Sequence, residues 1–258
     1  MCFDLDSRPP IAPIAGGALD SSRLVLTAAD GNRLTAFEAR ASKPSGAAIL
    51  ILPDVRGLHP YYEELALRFA EHGVDALAID YFGRTAGPEP RGETFEYASH
   101  VERTTWVGLE TDIRAGVDRL RSEDGGAART CFSMGFCFGG RLSYLAATLG
   151  LGLAGVIGFY GRPLGAQPNG APAPVDVARE MRGGVLAIFG GADKGIPPGD
   201  VAAFDAALAD AGIDHRVITY PDAPHSFFDR KASEYAGASA AAWDETLRFI
   251  RDRASSPA

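Results

Sequence analysis

The 258-residue chain has only three cysteines, Cys2, Cys131 and Cys137, an odd number in a chain long enough to bury a core without covalent staples. That scarcity argues against a disulfide framework and for a reducing compartment. Basic runs and basic residues interleaved with aromatics are also missing, and 25 Lys and Arg against 33 Asp and Glu leave a formal charge of −8. Nucleic acid is therefore not an expected partner. No stretch approaches the roughly 20 consecutive apolar residues of a membrane span. The opening Met1-Cys2-Phe3-Asp4-Leu5-Asp6-Ser7-Arg8-Pro9-Pro10 carries acids and prolines where a signal peptide would carry a basic end and an apolar run. A cytoplasmic protein without a membrane partner is expected. The cysteines and histidines show no ligand spacing, so neither metal nor other cofactor is predicted.

What is present is enough apolar content for a full core, 46% of residues, in a length at which α/β chains commonly form one domain. Residues 1–20, rich in Pro, Ala and Gly, read as a surface arm, which leaves 21–258 as a single domain. Apolar and polar residues alternate over 23–28 and 33–40 around Asp30-Gly31-Asn32, a hairpin signal. The continuous apolar runs 47–52 and 74–79 predict strands covered on both faces, with an amphipathic helix over 61–72 between them, stopped by Gly73. A long loop then passes through Asp80-Tyr81-Phe82-Gly83-Arg84 to Gly92, and helical periodicity runs over 100–121. Strands at 153–160, 185–189 and 215–220 alternate with helices over 201–211 and 234–253, and 161–174 is a Pro/Gly-rich excursion. Such βαβ repetition after one antiparallel beginning predicts an α/β fold, a mostly parallel twisted sheet with helices on both faces. Active residues in such sheets lie beyond the carboxyl ends of the strands.

At the centre of this pattern stands Arg129-Thr130-Cys131-Phe132-Ser133-Met134-Gly135-Phe136-Cys137-Phe138-Gly139-Gly140-Arg141. It reads as a short apolar strand entering a sharp glycine-flanked turn, followed by a buried helix over 142–149. That is the build of a nucleophile elbow, with Cys137 in the Gly-x-Ser-x-Gly slot. A turn of this kind crowds the backbone two residues either side of the nucleophile, where Gly135 and Gly139 stand. It offers the N–H of Phe138 to a developing oxyanion. The helix beginning behind it favours thiolate over thiol. The plainer alternative is that Cys137 is a small buried hydrophobe.

A cysteine nucleophile needs a base, and the base an orienting carboxylate, in the chain order nucleophile, acid, histidine. Downstream of Cys137, Asp193 follows the 185–189 strand and His225 follows the 215–220 strand, both just past a strand carboxyl end. His59, His72, His100 and His215 stand at the edges of other elements. Asp193 could instead cap a turn, with Asp200 close by, and a lone loop histidine is ordinarily a surface residue. The agreement of three placements favours a Cys137, Asp193, His225 site.

These residues resemble a known family. Gly135-Phe136-Cys137-Phe138-Gly139-Gly140, the Gly-x-x-Asp of Gly190 to Asp193 and Pro224-His225-Ser226-Phe227-Phe228 are similar to the dienelactone hydrolases, the cysteine branch of the α/β-hydrolase fold, over about residues 24–250. The resemblance implies a second oxyanion N–H from Val55. It implies a thiol-modulating carboxylate at Asp54, where the family has a Glu one methylene longer. It further implies substrate-binding residues at Arg84, Phe82 (Tyr in the family), Ser226 and a second arginine, for which Arg230 is the nearest candidate.

The implied chemistry is hydrolysis of a small ester or enol lactone through a thioester on Cys137. Three alternatives stand beside it. The chain could be a general carboxylesterase or thioesterase of the same fold. It could be a non-hydrolytic receptor or redox sensor built on Cys137. It could be a serine hydrolase using Ser133 or Ser143. A monomer or weak homodimer is expected.

Overall fold

The computed structural model describes residues 7–89, 91 and 94–254. Eight strands form one mixed sheet: β1 (Ala18–Thr27), β2 (Arg33–Ala41), β3 (Ala47–Leu52), β4 (Asp75–Ile79), β5 (Thr130–Phe136), β6 (Gly155–Phe159), β7 (Gly184–Gly190) and β8 (His215–Tyr220). The helices are α1 (Pro60–Glu71), α2 (Gly83–Ala86), α3 (Ala98–Glu102), α4 (Trp106–Arg121), α5 (Phe138–Ala146), α6 (Pro198–Asp210) and α7 (Ala236–Ala254). Across the sheet the order is β1-β2-β4-β3-β5-β6-β7-β8. The β1–β2 and β2–β4 pairs are antiparallel and all others parallel.

Burial explains which runs are continuous. Every residue of β3, β4, β6 and β7 is buried, as sheets sandwiched between helices require, whereas the edge strand β8 is half exposed throughout. Register shows which helix covers which face. Leu50 and Ser133 are partners on neighbouring strands; Leu50 meets Gly116 of α4, and Ser133 Oγ lies 2.8 Å from Ser143 Oγ in α5, so α4 and α5 share a face. On the other face Phe132 packs on Phe249 of α7, whose Trp243 packs 4.7 Å from Phe69 of α1.

Several boundaries differ from the sequence expectation. The stretch 100–121 is two helices rather than one. Thr105 takes an extended conformation, accepts a hydrogen bond from Gly108 N (3.2 Å) as N-cap of α4, and is followed by Trp106, whose N–H goes to Asn169 O (2.8 Å). The elbow helix begins at Phe138, four residues ahead of the expected 142, because the turn at Cys137 itself starts it. Of the expected arm, residues 1–6, Cys2 included, lie outside the described residues, and Ala18 already opens β1. Among the described residues no helix is long and apolar enough to cross a membrane.

The topology puts one side of the molecule to use. β3, β5, β6, β7 and β8 are consecutive neighbours and parallel, so the residues just beyond their carboxyl ends, Val55, Cys137, Tyr160, Asp193 and His225, are gathered along one edge.

Candidate active site

Cys137 caps α5 with φ 54° and ψ −111°, a conformation that non-glycine residues rarely adopt. The chain holds it there from both sides: Cys137 N donates to Phe159 O (2.9 Å) and Arg141 N to Cys137 O (3.2 Å). Glycine is required on either flank. A Cβ at Gly135 would run into the carbonyl of Gly139, and one at Gly139 into the carbonyls of Leu52 and Pro53. Gly139 thus lets the first turn of α5 lie directly against the end of β3, which brings the loop bearing Val55 up to the elbow. Phe138, as first residue of α5, presents an N–H with no intrahelical acceptor. Val55 and Phe138 line the same cleft as Cys137.

Asp54, immediately before Val55, is fully buried. Its Oδ1 accepts from Arg56 N (2.9 Å) and its own N–H donates to Tyr62 Oη (2.9 Å), so the residue braces the turn that carries Val55.

Asp193 and His225 are brought together by the loops after β7 and β8. Gly191 N donates to Tyr220 O (2.8 Å) and Ala192 N to Ala223 O (3.0 Å). Side chains at Gly190 or Gly191 would collide with the Ala223 and Pro221 carbonyls, so only glycines allow this contact. In the resulting geometry His225 Nδ1 lies 2.6 Å from Asp193 Oδ2, while Asp193 Oδ1 accepts from Gly195 N (2.8 Å). The carboxylate is buried and fixed at both oxygens, and an Nδ1–H donated to it fixes the orientation of the ring. Half-exposed His225 and half-buried Cys137 line one open cleft of about 280 Å³, with Val55, Val101, Phe138, Tyr160 and Ile196 as its apolar wall and Arg141, Arg162 and Gln167 as its polar groups.

The expected substrate arginines are elsewhere. Arg84 forks onto Asp112 (Nε to Oδ2 3.1 Å, Nη2 to Oδ1 2.8 Å) and onto Asp30 in the hairpin turn, tying β1–β2 to α4. Arg230 is exposed and does not line the cleft. Ser226 and Phe82 are buried; Phe82 packs on Tyr81, Phe95 and His100, a layer behind the wall.

Arg141 and Arg162 are the cations that the sequence reading missed. Arg141, in the first turn of α5, is buried with its guanidinium on the carbonyls of Arg162, Leu164, Gly165 and Pro172 (2.6–3.1 Å). Burial, with Arg162 nearby, pushes its pKa down to about 10, and it stays cationic at neutral pH. It pins the Pro/Gly-rich excursion as a cleft wall. Its place directly after Gly139-Gly140 was a usable signal, since a charged residue in an otherwise apolar helix start needs a reason. Tyr160 lines the cleft, whereas Tyr61 and Phe159 are core.

A second buried carboxyl lies close to His225. Asp229 accepts from Tyr160 Oη at Oδ2 (2.6 Å) and from Arg230 N at Oδ1, and burial pushes its pKa up to about 8. Ser133 and Ser143, the alternative serines, are fully buried and bonded to each other. Among the described residues no group of His, Cys, Asp or Glu is arranged to hold a metal ion.

An eight-stranded sheet in this order, antiparallel at one edge and with a strained turn closing its fifth strand, is an α/β-hydrolase architecture. The family model of the dienelactone hydrolase family matches residues 34–253, and the chain belongs to that family of hydrolases. Proteins named as carboxymethylenebutenolidases are similar to it: one from Salmonella typhimurium is 27% identical over 252 residues, covering 93% of this chain and 92% of the relative. Another from Escherichia coli K12 is 26% identical over 228 residues, 86% and 83% of the two chains. Among solved structures, a dienelactone hydrolase from Klebsiella pneumoniae superposes with a TM-score of 0.78 at 24% identity, covering 90% of this chain and 98% of that one. A dienelactone hydrolase-like promiscuous phosphotriesterase from metagenomic libraries gives 0.75 at 22% identity, covering 92% and 99%.

Proposed function

We propose that the protein hydrolyses small esters or lactones through a Cys137, His225, Asp193 triad and a thioester acyl-enzyme. The observation that carries this reading is the Asp193-fixed His225 sharing one cleft with a cysteine held at a strained helix start. The Cys137 thiolate attacks the carbonyl carbon; a C–S bond forms and the π pair moves to oxygen, where the Phe138 and Val55 amides receive it. Collapse expels the alcohol or enol oxygen, to which His225 delivers a proton. His225 then takes a proton from water as the water attacks the thioester, and the thiolate leaves. Asp193 keeps the imidazole in the tautomer this requires. Asp54, one methylene short of the family's Glu and bonded within its own turn, acts first by bracing the Val55 amide.

Arg84 and Arg230 lie away from the cleft, so a carboxylate-bearing enol lactone would have to be held by Arg162 and Gln167 instead. That observation favours a general carboxylesterase for neutral, largely apolar acyl groups as the second reading. A cleft of about 280 Å³ suits a small ligand.

The test is the rate of hydrolysis of p-nitrophenyl acetate and of a carboxylate-bearing enol lactone by wild type and Cys137→Ala, with intact-mass detection of an acyl adduct. Loss of both activities in the variant and a thioester adduct on the wild-type peptide bearing Cys137 are expected. Wild-type rates in Cys137→Ala would sink the nucleophile assignment. Lactone preferred over the ester by orders of magnitude would favour the first reading over the second.

A further inference from the structure

We propose that Tyr160 and Asp229 form a positioning pair that fixes the plane of the His225 ring, so that the imidazole is held at Nδ1 by Asp193 and across its face by Tyr160. The inference rests on the reading of His225 as the proton carrier. Tyr160 is the first residue beyond β6 and stands at φ 39°, in the left-handed region where a residue with a Cβ is strained. It is anchored at both ends, with its N–H on Ile188 O (2.7 Å) and its hydroxyl on Asp229 Oδ2 (2.6 Å). Between those anchors its ring lies 4.8 Å from the His225 ring, centroid to centroid, at 52°. Asp229 is fixed by the loop that carries His225: its N–H donates to Ser226 O (3.3 Å), its Oδ1 accepts from Arg230 N, and Ser226 between them stands at φ 64°. Strained backbone at three points around one histidine, Cys137, Tyr160 and Ser226, is what a fold maintains where a geometry must be held.

A buried carboxyl in this place would be costly if it were charged. The groups facing Asp229 are Tyr160 from the end of β6, Asp54 from the loop after β3, Tyr61 from α1, and His225 and the Arg230 amide from its own loop. Burial foremost, with Asp54 adding to it, raises the pKa to about 8, so at neutral pH Asp229 holds its proton. The pair therefore supports the ring without placing another full negative charge beside His225 and Asp54. Above pH 8 that charge appears.

The experiment measures kcat and KM for p-nitrophenyl acetate from pH 6 to 9.5 in Tyr160→Phe, Asp229→Ala, Asp229→Asn and the Tyr160→Phe/Asp229→Ala double variant. Tyr160→Phe and Asp229→Ala each lower kcat about tenfold with KM within about twofold, as expected for loss of one orienting hydrogen bond. The double variant falls no further than either single, because the two act as a unit. Asp229→Asn, which keeps an acceptor for Tyr160 and mimics the protonated acid, recovers most of the lost kcat and lacks the titration step near pH 8 that wild type shows. Thermal melts separate this from misfolding. A carboxyl at about 8 in the fold against 3.8 ordinarily keeps a proton that the unfolded chain has released, so wild type loses stability as pH rises through that window, and Asp229→Asn melts above wild type at pH 8 by a margin that closes towards pH 4. Wild-type kcat in Tyr160→Phe and Asp229→Ala, or a raised KM with kcat preserved, overturns the proposal, since the tyrosine would then be only a wall. Cys137→Ala runs alongside: wild-type turnover in it removes the triad reading and this inference together. An inactive Cys137→Ala beside an unimpaired Tyr160→Phe removes the pair's role alone.

Discussion

The elbow after β5 and the loop after β4 leave neighbouring parts of the same sheet edge, yet they are built by different physics. The elbow is fixed by backbone crowding: three glycines, Gly135, Gly139 and Gly140, stand where a Cβ would meet main-chain atoms, and the stretch 130–140 carries no charged side chain. The β4 loop is fixed by charge. Arg91 pairs with buried Asp80 (2.7 Å), and Arg84 spans Asp30 and Asp112. Backbone crowding admits one residue type and is absolute, whereas a charge pair tolerates substitution in proportion to what it leaves buried. The difference decides what can be done to each region.

The largest expected effect tests what the elbow serves. Asp193→Asn keeps the shape of the loops after β7 and β8 but allows the wrong His225 tautomer, so kcat for an activated ester should fall about a thousandfold or more with the melting temperature little changed. A fall of only a few fold would mean that Asp193 is a loop brace and that the acid lies elsewhere. Next comes Gly139→Ala, whose added methyl meets the Leu52 and Pro53 carbonyls. A cost of at least about 3 kcal/mol and loss of activity are expected by denaturant titration and assay. Gly150→Ala, at φ 66° with open space around it, should cost about 1 kcal/mol from backbone strain alone. Equal costs at the two sites would erase the distinction between crowding and conformation.

In the charge-built region the expected effects fall on stability and do not reach catalysis. Arg84→Ala leaves the Asp112 carboxylate, which is fully buried and already raised in pKa by burial, without its cation. Breaking such a pair from one side costs about 3 kcal/mol. The same variant in an Asp112→Leu background should cost markedly less, and KM for a carboxylate-bearing ester should stay at the wild-type value in both. A tenfold KM rise in Arg84→Ala would bring this arginine back as a substrate ligand.

The same contrast separates what is legible in the sequence from what is not. The elbow was legible because its constraint is local: glycines two residues either side of Cys137 fit one turn, and strand periodicity put Asp193 and His225 past strand ends in the required chain order. Arg84 was not legible, because whether an arginine faces a cleft or a carboxylate depends on Asp30, 54 residues before it, and Asp112, 28 after. The break at Thr105 was hidden for a related reason: apolar spacing continues across it from Val101 to Leu109, and the chain is turned there by the Thr105 cap and by the bond from Trp106 to Asn169, 63 residues on. The excursion 161–174 gave no periodic signal at all. Its path is set by the carbonyls that Arg141 gathers, a constraint spread over 31 residues.

The smallest expected effect lies where the two kinds of construction meet, at the mouth of the cleft. Arg162 is exposed and lines the cleft beside Arg141, whereas Arg230 is exposed, does not line the cleft and bonds Asp229 through its backbone amide. Removing the Arg230 guanidinium leaves that amide bond in place, so Arg230→Ala should change stability by less than about 0.5 kcal/mol and KM not at all. Arg162→Ala removes a solvated positive charge facing the substrate. For a charge pair in water this is worth about 1 kcal/mol at most, which predicts an approximately fivefold loss in kcat/KM for a carboxylate-bearing ester relative to its neutral methyl ester. The ratio, rather than either rate, is the readout, because it cancels effects on the proposed triad. Added salt should shrink the difference in wild type towards the value in Arg162→Ala, since the interaction is exposed to screening. A ratio that moves with Arg230 instead would show that the 226–231 loop turns its guanidinium into the cleft when substrate binds.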